Sequence, residues 1–72
     1  NNGPLMDAIS RFQSEYPEAL KRGDKNVTDL LVLEMAFRIR TELQNLDYPD
    51  SQIEREVERI IGILAQPAQQ GR

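Results

Sequence analysis

The stretch Val27–Leu46, VTDLLVLEMAFRIRTELQNL, decides the fold. Val32, Met35, Ala36, Ile39, Leu43 and Leu46 recur at three- and four-residue intervals, the spacing of one face of an α-helix. Leu30, Leu33 and Phe37 fall on a different side of the same helix. Asn26 precedes the stretch as a candidate N-cap, and Asp29 brings a negative charge to the positive helix start. The first half of this helix is apolar almost all round. Such a helix needs cover on more than one side.

Working outward, the upstream segment Pro4–Tyr16 carries Leu5, Ile9, Phe12 and Tyr16 on one helical face. Pro4 suits a first helical position. Pro17 is expected to end or kink this helix, because proline disfavours helical geometry in the residue before it. Pro17–Arg22 has room for one more turn, and Gly23 is the natural stop. Downstream, Ser51–Ala65 reads as a third helix with an apolar face of Ile53, Val57, Ile60, Ile61 and Leu64. Ser51 and Glu54 have the spacing of a capping box, and Pro67 blocks extension. The connections Gly23–Asn26 and Asp47–Asp50 are short, which favours antiparallel neighbours. The expected fold is all-α: an antiparallel hairpin of helices 2 and 3, helix 1 packed across it, and a second chain completing the core. Residues 1–5 read as a tag remnant or a disordered lead-in, unless the chain is a fragment of something longer. Residues 6–65 read as a single helical domain and 66–72 as a flexible tail.

Size supports the second chain. A 72-residue sequence makes one small domain. Its core alone supplies no more than about 3–5 kcal/mol. There is no cysteine for a disulfide and no histidine for a His/Cys zinc site. Regular helix packing and oligomerisation remain. Twelve acidic residues outweigh nine basic ones, for a net charge of −3. This disfavours nucleic-acid binding, which draws on a basic field. No apolar run is long enough to span a bilayer, and no secretory signal is visible. With no cysteine, a cytoplasmic location is expected.

The residues also argue against catalysis. Without histidine or cysteine there is no imidazole base and no thiolate. Ser10, Ser14 and Ser51 have only carboxylates and two lysines to activate them. The pairs Glu34/Glu42 and Glu54/Glu58 lie among other charges on expected solvent faces, whereas a catalytic carboxylate normally needs burial. No enzyme activity, cofactor, metal or small-molecule substrate is expected. Arg22-Gly23-Asp24 spells an adhesion tripeptide, but Gly23 has a helix to end. Asn26-Val27-Thr28 spells a glycosylation sequon, but Asn26 reads as a cap. The segment from Asp24 opens like a calcium loop, yet Asp29 replaces the required glycine and Met35 the closing glutamate.

One resemblance emerges from Leu43–Val57, LQNLDYPDSQIEREV. A leucine, a turn with an aromatic residue, and then a helix with apolar residues four apart are matched by Leu46, Tyr48, Ile53 and Val57. This resembles the centre of a ubiquitin-associated-type three-helix module. Asp47 stands where such modules usually have glycine, and helix 2 is longer than theirs. The resemblance covers about fifteen residues. It implies capture of a ubiquitin-like or other protein partner, with Tyr48 in the contact loop.

The leading expectation is a self-associating, dimeric adaptor or scaffold domain that uses the apolar surface of helix 2. Its binding residues are Val27, Leu30, Leu31, Leu33 and Phe37, with Phe37 as the central anchor. Arg38 and Arg40 are candidate rim residues, together with the basic cluster Lys21, Arg22 and Lys25. The alternative is a monomeric regulatory module that captures a partner helix or tail. A nucleic-acid accessory role through the same basic residues ranks last.

Overall fold

The structure is a computed structural model and describes residues 3–66. Three helices follow one another: α1 (Gly3–Arg22), α2 (Lys25–Asn45) and α3 (Asp50–Ala65). There are no strands among the described residues. The expected all-α three-helix domain is what forms. α2 packs against both other helices, while α1 and α3 touch each other less. α1 runs antiparallel to α2: Pro4 and Leu5 lie beside Phe37–Glu42, Phe12 beside Leu31 and Met35, and Ala19 beside Thr28.

The core is one cluster drawn from all three helices. Phe12, Leu31, Met35, Ile39, Leu43, Ile53 and Val57 are buried in it. Leu5, Ile9, Tyr16, Val32, Ile60, Ile61 and Leu64 pack around them, half-buried. The Phe12 and Tyr16 rings stack, with centroids 4.7 Å apart. Thr28 is the one polar residue of this interior among the described residues. Its hydroxyl donates to the Lys25 carbonyl at 3.1 Å, so no polar group is left unpaired there.

Four local expectations are corrected. Pro17 does not end α1, which continues to Arg22. Gln13 and Pro17 both lie on the exposed side, so water can take the carbonyl that Pro17 leaves without a donor. Beyond the proline, the fully buried Ala19 anchors the last turn. α1 begins at Gly3, and Leu5 already packs on the core.

Asn26 is not the cap of α2. Asp24 is, its side chain accepting from the Val27 N–H at 3.4 Å. The preceding turn explains the shift. Gly23, at φ 70°, donates its N–H to the Leu20 carbonyl, and Asp24 donates to that of Ala19, both at 3.0 Å. This Schellman closure delivers Asp24 directly to the capping position. Likewise, Ser51 and Glu54 form no capping box. α3 starts at Asp50 after Pro49, two residues too early, with no side-chain cap. Glu54 is taken instead by Arg40 of α2, through two hydrogen bonds of 2.6 and 2.9 Å. The Arg40 hydrogen bond holds the Glu54 carboxyl below its ordinary pKa, against a smaller opposing effect of desolvation.

The α2–α3 turn repeats the Schellman closure with a different residue. Asp47 donates to the Gln44 carbonyl and Tyr48 to that of Leu43, both at 3.0 Å. Asp47 stands at φ 63°, where glycine is at ease and a side chain is strained. Its negative charge also faces the negative end of α2. Asp47→Gly is therefore expected to stabilise the domain by about 1 kcal/mol. A urea or thermal midpoint at or below the wild-type value would contradict this. Leu46, expected in the core stripe, lies past the helix end and is exposed. α3 ends at Ala65. Gln66, the residue before Pro67, is extended as its position dictates. The rest of the expected tail, 67–72, lies outside the described residues.

Candidate protein-interaction surface

α2 carries two apolar faces. At about 100° per residue, Thr28, Leu31, Met35, Ile39 and Leu43 follow one line along the helix. All five are buried. Leu30, Leu33 and Phe37 fall on the opposite line, roughly half a turn away. They are 64%, 66% and 66% exposed. α1 and α3 both pack on the inward line and leave the outward one largely uncovered. The outward stripe ends in amides, Asn26 and Gln44, and includes Thr41. The Thr41 hydroxyl donates back to the Phe37 carbonyl at 2.9 Å, which satisfies it within the helix. At the Phe37 end the stripe opens into a shallow cleft with Pro4 and Leu5 of α1.

The sequence-derived residue set divides here. Leu30, Leu33 and Phe37 share the open face. Leu31 does not: it is a core residue, one helical turn ahead of Met35. Val27 is half-buried against the same core. Both hold α2 onto its neighbours and are withdrawn from the binding set.

The charged rim divides too. Arg38 is exposed beside the stripe, with Glu34 one turn before it. Neither has an ion-pair partner within 4 Å among the described residues, although both line the cleft shared with Asp7 and Arg11 of α1. Arg40 is committed to Glu54 and fastens the hairpin. The cluster Lys21, Arg22 and Lys25 lies at the α1–α2 turn. Each of its members has a carboxylate close by: Glu18 at 3.7 Å, Asp24 at 3.9 Å and Asp29 at 3.1 Å.

A second apolar groove is one the sequence reading did not anticipate. It runs between the end of α1 and the end of α3, lined by Tyr16, Pro17, Leu20, Leu64 and Ala65. Leu20, one turn after Tyr16, was the available signal. The expected break at Pro17 hid it.

No helix among the described residues is long and apolar enough to cross a membrane. Compared with known protein families, known proteins and solved structures, the chain matches none. The ubiquitin-associated resemblance therefore rests on its own few residues. Of these, Ile53 and Val57 are buried in the core, Leu46 and Tyr48 are exposed, and Asp47 has the glycine-like φ noted above.

Proposed function

We propose that the chain is a non-enzymatic protein–protein interaction module that dimerises through the outward face of α2, in a cytoplasmic setting. One observation carries the reading: three large apolar side chains, Leu30, Leu33 and Phe37, stand about two-thirds exposed on the face opposite the core. Full burial of such a side chain is worth about 1.5–3 kcal/mol. A two-fold dimer brings the same stripe from both copies together and counts it twice. Small size makes this gain matter, because the core alone is a modest source of stability.

The Arg40–Glu54 pair gives no support to acid–base catalysis. Glu54 is the carboxyl with a clear shift, and its shift favours the charged form. Acid–base catalysis by a carboxyl usually calls for the opposite. A nucleic-acid role loses support because Arg40, Lys21, Arg22 and Lys25 all have acidic neighbours. The cleft that Pro4 and Leu5 form with Phe37 favours a second reading, capture of a partner helix by a monomer.

Sedimentation equilibrium over a concentration series tests the proposal. A mass that rises toward twice the chain mass is expected. A single-chain mass at high micromolar concentration would remove the dimer, and a monomer that still binds an apolar dye would turn the reading to partner capture.

A further inference from the structure

Resting on that dimer, we infer that the second copy lies antiparallel along α2, with the two-fold axis near Phe37 and Glu34 of each copy facing Arg38 of the other. The stripe's flanks carry the argument. In an antiparallel pair, each flank of a helix meets the same flank of its partner. The flank that adjoins α1 presents Glu34 and then Arg38, an acid and a base a single turn apart, with Glu42 one turn further on. Neither Glu34 nor Arg38 is neutralised within 4 Å among the described residues. The Glu34/Arg38 pair at its centre is complementary to itself when reversed. In a parallel pair it would meet the other flank, whose charges Asp29 and Arg40 are already held by Lys25 and Glu54.

Helix geometry then fixes the register. With a rise of about 1.5 Å per residue, an axis at residue 36 sets Glu34 level with the partner copy's position 38. The two Phe37 rings meet beside the axis. Leu33 packs toward the opposite Phe37, and Leu30 toward the methyl of the opposite Thr41, whose hydroxyl is already bonded to its own helix. Asn26 and Gln44 meet at the ends. The middle of α2 is residue 35, so the helices overlap almost end to end. An axis near residue 33.5 would pair Leu30 with Phe37 directly. It would also set Glu34 against Glu34 and leave the ends of α2 unpaired. Antiparallel packing further places each positive helix end beside a negative one. One helix face per copy makes an interface at the small end of the range, under about 1,200 Å² in total. A micromolar dimer follows.

Charge exchange tests the arrangement. E34R alone creates two Arg–Arg contacts per dimer, and R38E alone creates two Glu–Glu contacts. Each is expected to weaken dimerisation roughly tenfold. An equimolar mixture of the two variants restores opposite charges at both contacts and should recover wild-type affinity as a heterodimer. The double variant E34R/R38E should recover it as a homodimer, and it keeps the composition unchanged should a single variant fold poorly. Sedimentation with circular dichroism as the folding check reads all four. If the wild type dimerises but the singles match it, or the mixture and the double variant fail to recover, the antiparallel register is wrong while dimerisation stands. If the wild type is monomeric at high micromolar concentration, dimerisation itself is wrong.

Discussion

Phe12→Ala is expected to leave the chain largely unfolded at room temperature. Phe12 is 2% exposed and lies where α1 meets Leu31 and Met35, its ring stacked on Tyr16. Truncating a buried phenylalanine costs about 3–5 kcal/mol, from lost transfer energy and from the cavity left behind. A core of this size supplies about that much in total. The helical circular dichroism signal should fall and the cooperative melt should vanish. Dimerisation could offset part of the loss, so the measurement belongs at low micromolar concentration. A cooperative melt with the wild-type midpoint would show that Phe12 does not hold the core.

Phe37→Glu should have the opposite pattern: fold kept, association lost. Phe37 is two-thirds exposed on the single chain, so a charged replacement meets water rather than the interior. At the dimer axis, two glutamates would replace two aromatic rings. Central aromatic anchors are commonly worth 2 kcal/mol or more, about thirtyfold in affinity. The variant should be monomeric across the concentration range in which the wild type dimerises, with an unchanged helical spectrum. Retained dimerisation would move the interface elsewhere, the Tyr16–Leu20–Leu64 groove being the next apolar surface. An unfolded variant would mean that Phe37 is more deeply engaged than its exposure indicates. The two substitutions change the same residue type in one small chain. They separate a side chain that makes the fold from one that the fold displays.

Much of this was legible in the sequence because helical periodicity reports burial directly. Met35, Ile39 and Leu43 on α2 and Ile53 and Val57 on α3 are core residues as their spacing predicts. Gly23 ends α1 as expected. The errors cluster at helix ends, where several residues compete for one role. Asp24 and Asn26 can both cap a helix, and the choice depends on where the preceding turn releases the chain. Glu54 can serve a capping box or an arginine, and only the hairpin brings Arg40 within reach. Pro17 reads locally as a break, but the packing of Ala19 lies beyond local view.

The candidate surface was legible by half. The run Leu30-Leu31-Val32-Leu33 is apolar in every direction, so periodicity alone cannot say which side turns inward. Leu30, Leu33 and Phe37 follow as a set only once Leu31 is assigned to the line of Met35 and Ile39. The α1–α3 groove was hidden because it needs α1 to continue past its proline.

The Arg40–Glu54 bridge bears on an ambiguity that this two-faced helix creates. A helix with apolar residues on opposite sides has, in principle, two ways to fold against its neighbours. Rolled by half a turn, α2 would offer Leu30, Leu33 and Phe37 to α1 and α3 and turn Leu31, Met35 and Ile39 outward. Arg40 lies on the flank of the outward stripe, only about 60° from Phe37. The roll would carry its guanidinium toward the interior and away from Glu54, leaving a charge buried without a partner. That penalty is several kcal/mol, comparable with the stability of the whole domain. The bridge adds little to stability as a surface contact. Its larger effect is to make the inverted packing untenable, so that a chain with two greasy sides has one native state.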